Sequence, residues 1–568
     1  MALAIALPLA ACIAGTTRDR PARSLDDPAD LVVFATRVRT LDPSAPLAEF
    51  VAIRGDRIAA VGARADAARH LGPATRRIDL PPGACLLPGL VDSHAHLLAI
   101  GRARRELDLV GTRSFEEVVA RTVERARALP RGAWIRGRGW DQNDWPDRRF
   151  PEHAALSAAV PDHPVCLVRI DGHALLANAE ALRRAGVDAR TEAPPGGELL
   201  RDDRGEPTGV LVDDATALVE RAIPPPTEAE DAEALAAALR SCRELGITSL
   251  HDAGVGRRTL ELYRREAAAG RLTARLYCML DGSDAALVDE WFERGRFGDP
   301  AGFVTVRAVK RYADGALGSR GALLLADYAD RPRHRGLALV ERAELARLAR
   351  RALDAGFQLC THAIGDAANR LVLDAYSDAL ASWAAAHPGE PRPDHRFRVE
   401  HAQILAPDDV PRFAQLGVLA SMQSCHATSD GPWVPDRLGV ERARERAYVW
   451  RSLLAAGATI CNGTDAPVEE LSPLRNLFSA VTRLDPGGGT TEPFFAEQCM
   501  TADEALRSAV TAGAIAGFSE DRLGMLRPGF LADLVALSVD PVERSPHGFL
   551  EASVELTIVA GRVVHARP

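Results

Sequence analysis

Lysine is almost missing from this chain of 568 residues. Its basic residues are overwhelmingly arginine, a bias of base composition rather than a binding signal, and that singles out Lys310 for inspection. There is no long basic run and the net charge is −9, which gives no reason to expect nucleic acid as a partner. No apolar run is long enough to cross a bilayer as a helix. The nine cysteines are scattered singly, with no C-x-x-C pair. Cys166, Cys278, Cys360 and Cys461 sit in apolar, strand-like runs and read as buried thiols. No glycine-rich phosphate loop follows the first strand of the α/β pattern, which argues against an open doubly wound sheet. What is present is ordinary for a globular protein, 47% hydrophobic and 26% charged, and long enough for a large core plus an accessory domain.

The first residues, Met1–Ala11, are apolar and precede Cys12. Leu9-Ala10-Ala11-Cys12 resembles the cleavage box of bacterial lipoproteins, and Thr16–Pro28 supplies a polar tether. The expectation is export to the periplasm or envelope with a lipid anchor at Cys12. Two departures, a short run and no preceding Lys or Arg, leave an unprocessed N-terminus on a cytoplasmic protein as the alternative.

Residues 31–87 read as β structure, with Gly55-Asp56 between Ile53 and Ile58 as a hairpin signal. Arg76–Leu80 adds a short strand. Ala532–Leu537 and Glu555–Val564 have the same character, Gly561 marking a turn. The two ends, 29–87 and 517–568, are expected to form one small β-sandwich domain. Between them strands alternate with helices. The strands are Leu86–His94, Ile247–His251, Arg275–Leu280, Val304–Lys310, Phe357–His362, Arg396–His401, Val418–Gln423 and Ala458–Asp465. Helices are expected over Glu341–Ala355, Asp408–Leu416 and Glu441–Ala456, and capping boxes open others at Thr227 and Thr501. Eight such units predict an α/β fold, a closed (β/α)8 barrel of the TIM type over 88–516. The interval between His96 and Ile247 is far too long for one helix, and residues 103–226 read as a subdomain inserted over the barrel mouth.

Chemistry collects at the strand ends, where such barrels act. His94 and His96, two apart on a strand, project to one side. Later strands end in Lys310, His362, His401 and Asp465. Singly, each has a bland reading: a strand-end histidine satisfied by hydrogen bonds, an aspartate capping a helix. Together they predict a metal site. Other residues are weaker candidates for contact with substrate. His173 reaches into the mouth from the insertion or is structural. Asp314 and Arg320 orient Lys310 or a polar substrate, or brace the loop. Gln423 and His426 line the pocket. Glu400 points away from His401 and reads as support or packing.

The motifs Pro88-Gly-Leu-Val-Asp-Ser-His-Ala-His96, Asp171-Gly-His173, His251-Asp-Ala-Gly254, Val309-Lys310, Ala313-Asp-Gly-Ala-Leu-Gly-Ser-Arg-Gly321, Thr361-His-Ala-Ile-Gly-Asp366, Val399-Glu-His-Ala-Gln403, Ser421-Met-Gln423 and Gly463-Thr-Asp-Ala-Pro467 resemble those of the amidohydrolase superfamily. Within it they resemble the YtcJ-like branch that includes N-substituted formamide deformylases. The resemblance, from about residue 31 to the end, implies one or two divalent metal ions, most often zinc. His94 and His96 would hold the more buried ion with Asp465, and His362 and His401 the second. An ammonium has no lone pair; the resemblance implies that Lys310 is carboxylated and bridges both ions, the alternatives being an unmodified Lys310 or a salt bridge to Asp314. Asp465 would take the proton of the attacking water and pass it to the leaving nitrogen. The implied activity is hydrolysis of a C–N bond in a small amide, formamide or cyclic amide. An ester, lactone or cyclic-imide hydrolase on the same site, and a non-catalytic metal-holding lipoprotein, are the alternatives. Ser424-Cys425 departs from the Pro-Thr frequent in the family; many relatives are dimers, which leaves a homodimer open beside the monomer.

Overall fold

The computed structural model describes residues 28–568 except 170, 171, 173, 195 and 196. Cys12, the apolar start and nearly all of the tether lie outside the described residues, as does His173. Among the described residues no helix is long and apolar enough to cross a membrane.

Eight parallel strands form the barrel: β1 (Leu90–Ala95), β2 (Ile247–Val255), β3 (Arg275–Asp281), β4 (Val304–Tyr312), β5 (Gln358–Ala363), β6 (Arg398–His401), β7 (Leu419–Met422) and β8 (Ile460–Asn462). They pair in sequence order from β1 to β8. The segments following β8 and within β1 close the ring: Asp465 N–H donates to His94 O (2.7 Å), and His96 N–H to Ala466 O (2.9 Å). Sheet pairing stops at Asn462, earlier than the sequence suggests, because Gly463-Thr464-Asp465 crosses over to β1. The buried Asp92 carboxylate receives Thr464 Oγ1 (2.6 Å) and Thr464 N–H (3.0 Å).

The first strand is not the single Leu86–His94 run expected from its continuous apolar character. It divides at Gly89. Cys85–Pro88 pairs antiparallel with Leu534–Leu537 in a different sheet, and only Leu90–Ala95 enters the barrel. A Cβ at Gly89 would sit 2.0 Å from Thr248 Oγ1, so glycine is what lets the chain pass β2.

That other sheet has eight strands drawn from both chain ends, Leu31–Arg39, Leu47–Arg54 and Arg57–Gly62 among them with Leu534–Leu537, Val554–Val559 and Arg562–Ala566. Its residues alternate in period two. Leu31, Val33, Val38, Leu534, Ala536 and Leu556 share one core, and Val32, Phe34, Phe50 and Ala52 another. The turns fall at Gly55-Asp56 and Ala560-Gly561.

The insertion builds its own six-stranded sheet within residues 107–213. The chain returns through the Thr227–Glu230 capping box into the helix Glu228–Glu244. This helix packs on Leu97–Ala103, the short helix that follows His96, so closely that a Cβ on Gly101 would lie 1.8 Å from Ala234 O. The expected helix Glu441–Ala456 is two helices, Val440–Arg446 and Trp450–Ala455. Tertiary bonds break it at Tyr448, whose φ is 54°. Its N–H donates to Gln403 O (2.7 Å) and its hydroxyl to Asp430 Oδ2 (2.5 Å).

Candidate metal centre

His94, His96, Lys310, His362, His401 and Asp465 all stand at or just beyond the C-terminal ends of barrel strands. His401 (φ 74°) and Asp465 (φ 57°) adopt the left-handed backbone that side chains with a Cβ rarely take. Such strain persists where surrounding bonds hold it, and it concentrates at functional sites.

The histidines are oriented from behind. His94 Nδ1–H is held by the fully buried Glu400 carboxylate. His96 Nδ1–H donates to Ala253 O (3.0 Å), and His401 Nδ1–H to Gln423 Oε1 (2.7 Å). Each ring therefore turns its Nε2 lone pair inward. His94 Nε2 and His96 Nε2 lie 3.5 and 3.2 Å from Asp465 Oδ1. Burial pushes the imidazolium forms of His94 and His401 down, and His362 down to about 3. Burial works against ionised Asp465, but the His96 contact and the neighbouring imidazoles outweigh it and hold the carboxyl well below its usual range. Burial works against protonated His96, but Asp465 outweighs it and raises the His96 pKa, so a proton between the two satisfies that contact; a divalent cation among the facing nitrogens and the carboxylate oxygen would take that proton's place. The donor set, imidazole nitrogens and one carboxylate, suits a zinc-type divalent ion. The tightest triplet, His94, His401 and Asp465, offers one atom each within 4.8 Å of one another. It draws from both of the ion groups expected from sequence. The His362 ring lies 4.5 Å from that of His401, its Nε2 without a hydrogen-bond partner among the described residues.

Lys310 is buried, its Nζ 3.4 Å from His94 Nε2 and 4.9 Å from the Tyr312 ring centre. Burial lowers its pKa and favours the neutral amine.

These residues form the floor of a cavity of about 380 Å³, walled by Tyr312, Leu317, Ile364, His426, Trp433 and Glu469. Of the weaker candidates for substrate contact, Asp314 and Arg320 brace their loop, the alternative role expected of them, and Gln423 supports a histidine. The Asp314 carboxylate accepts from the N–H groups of Leu323, Ile364 and Gly365, tying the loop after β4 to that after β5; burial raises its pKa to about 7, and it forms no salt bridge to Lys310. Arg320 is paired with Asp330 (2.7 Å), which Arg437 also holds. Gln423 orients His401 and does not line the cavity.

Sequence reasoning named Glu400 only as support and passed over Asp92. Glu400 anchors His94 and lies 3.8 Å from buried Arg398; although burial pushes it up, His94 and Arg398 hold it down at about 2. Asp92, raised by burial to about 6, fixes Asp465 beside His94 through Thr464. Its alternating position in the His-x-His strand was the available signal.

The amidohydrolase family profile matches residues 78–565. The putative amidohydrolase YtcJ of Bacillus subtilis is 33% identical over 507 residues, 88% of this chain and 92% of that protein. The N-substituted formamide deformylase of Arthrobacter pascens is 29% identical over 549 residues, 95% and 98% of the two chains. An uncharacterized metal-dependent hydrolase from Pyrococcus furiosus superposes with a TM-score of 0.74 at 27% identity, over 90% of this chain and 99% of that one. With a parallel barrel, inward-facing imidazoles at its strand ends and these relatives, the chain belongs to the amidohydrolase family and is a hydrolase that uses a divalent metal.

Proposed function

We propose that this hydrolase cleaves the C–N bond of a small amide, with N-substituted formamides as the first class to test and zinc as the metal. The observation that carries the reading is the convergence of three imidazole Nε2 atoms and the Asp465 carboxylate on the floor of one cavity. The similarity to the formamide deformylase along nearly the whole chain supports the choice of bond. His94, His96, His401 and Asp465 would hold the ion, with His362 within reach of a second. Bound there, a divalent metal lowers the pKa of water and polarises a carbonyl.

The chain's own residues supply the proton path. Asp465, kept ionised, accepts a proton from the attacking water as the oxygen–carbon bond forms. It delivers that proton to the nitrogen as the C–N bond breaks. Lys310, whose ammonium form burial disfavours, can as its free amine take up CO2, losing a proton to become a carbamate whose oxygens bind cations as an ammonium cannot. It is the only lysine in the chain, so its modification is open to direct reading.

Turnover of N-alkyl and N-aryl formamides, abolished by a chelator and restored by zinc, is the expected result. Asp465→Asn should lower kcat at least about 100-fold. Undiminished hydrolysis by Asp465→Asn, or by fully metal-free protein, overturns the reading. In 13C-bicarbonate the protein should show a single lysine carbamate resonance, lost in Lys310→Arg.

A further inference from the structure

Two polar atoms in the cavity have no hydrogen-bond partner among the described residues and lie outside the donor set described above. Gln403 and His426 both line it, each more than nine-tenths buried. They are bonded to each other, Gln403 Nε2 to His426 Nδ1 at 3.2 Å. Gln403 Oε1 and His426 Nε2 have no hydrogen-bond partner among the described residues. Leaving such groups unpaired costs about 1–3 kcal/mol each, so a site that keeps them has a use for them.

The bond between them decides which atom carries the proton. An amide N–H from Gln403 makes His426 Nδ1 the acceptor, and the neutral ring then carries its hydrogen on Nε2. The surroundings agree, because the Asp465 carboxylate lies on the Nε2 side, Oδ2 at 3.7 Å. That separation is too long for a hydrogen bond, and the N–H stays unspent. The pair thus offers one donor and one acceptor beside the catalytic carboxylate. Gln403 is held in place by its backbone, its C=O receiving Tyr448 N–H.

A secondary amide carries the complement, one C=O acceptor and one N–H donor. An ester has only the first, and so has a tertiary amide. We propose that Gln403 and His426 form the seat of a secondary amide, His426 Nε2–H receiving the carbonyl oxygen and Gln403 Oε1 the N–H. This deepens the amide-hydrolase reading and rests on it. As water attacks the carbon, the C=O π electrons move onto the oxygen and strengthen its bond to His426, which keeps its proton. When the C–N bond breaks they return, and the nitrogen receives its new proton from Asp465. Donors aimed at charge that develops during reaction act mainly on kcat.

The test uses the full-length metal-loaded protein and three probes: an N-alkylformamide, its N-methylated tertiary counterpart and the matching alkyl formate ester. The secondary formamide should be preferred over the tertiary about 10- to 100-fold in kcat/KM. Gln403→Leu should erase that preference. His426→Leu should lower kcat about 100-fold or more with KM little changed. His426→Gln, which keeps an N–H near the position of Nε2, should recover part of the loss. Equal use of secondary and tertiary formamides by the parent, a preference that survives Gln403→Leu, or a His426→Gln no better than His426→Leu overturns the proposal. Should His426→Leu fail to fold, the Gln403→Leu ratio and the His426→Gln rate still decide. If the parent hydrolyses no amide, the amide-hydrolase reading falls. Thermal-shift binding of the same secondary and tertiary formamides to the parent and to Gln403→Leu then reads the seat alone: a preference that Gln403→Leu removes upholds it, and equal binding sinks it.

Discussion

Glu400→Gln isolates what a buried charge behind the metal centre does. The substitution preserves shape and leaves an acceptor for His94 Nδ1–H, but removes the negative charge. A hydrogen bond to a charged group contributes about 1.5–3 kcal/mol, against about 1 for a neutral one. His94 loses that difference in basicity and orientation, and comparable losses behind metal-bound histidines weaken metal affinity about 10- to 100-fold. The fold pays separately. Arg398 loses its counter-ion, a cost of about 3 kcal/mol. That figure sits at the low end for a broken buried pair, because the guanidinium keeps Gln358 Oε1, Ser93 O, His251 Nδ1 and Ala516 O as acceptors. Competition between protein and a chromophoric chelator for zinc measures the first effect, and the denaturant midpoint the second. A folded Glu400→Gln that binds zinc within twofold of the parent would refute the argument that the carboxylate tunes His94.

Three further outcomes are expected. Gly463→Ala would place a Cβ 2.4 Å from His94 N and 2.9 Å from His94 O, backbone atoms that cannot step aside, so metal content by elemental analysis should fall with activity. His395 receives Phe397 N–H on Nδ1 (2.9 Å) and donates Nε2–H to Leu416 O (3.0 Å), and burial lowers its pKa to about 4. The unfolded chain therefore binds a proton that the folded one refuses. Stability is full above about pH 6.5 and declines by up to about 3 kcal/mol as the pH falls towards 4; His395→Gln should flatten urea midpoints across that window. Arg320→Ala, which severs only the Asp330 pair, should leave kcat/KM of the best formamide within about twofold and cost at most about 1 kcal/mol.

The barrel strands were legible because parallel strands buried on both faces read as apolar runs with polar ends, and the His-x-His pair because strand side chains alternate. Hydrophobicity does not say which sheet an apolar run joins, so Leu86–Val91 looked like one strand although Gly89 divides it between two. The break at Tyr448 was hidden for another reason. Its sequence is helix-compatible, and bonds to Gln403, Asp430 and Arg483, distant along the chain, pull it out of helical conformation. Residue type also fails to give direction in a loop: Asp314, Arg320 and Gln423 have the chemistry of substrate contacts, yet each turns towards a backbone amide, an aspartate or a histidine.

The division at Gly89 bears on how the protein is made. His94 hangs six residues beyond a strand, Cys85–Pro88, whose sheet partner Leu534–Leu537 is synthesised long after the barrel. Every metal ligand has been synthesised by Asp465, but until the C-terminal strands arrive the strand carrying Leu86 and Leu87 is paired on one edge only, with Leu31–Arg39. Until then the nascent chain holds the parts of a centre without the seam that fixes its first strand. A message truncated after the barrel would encode all the ligands and still yield no enzyme.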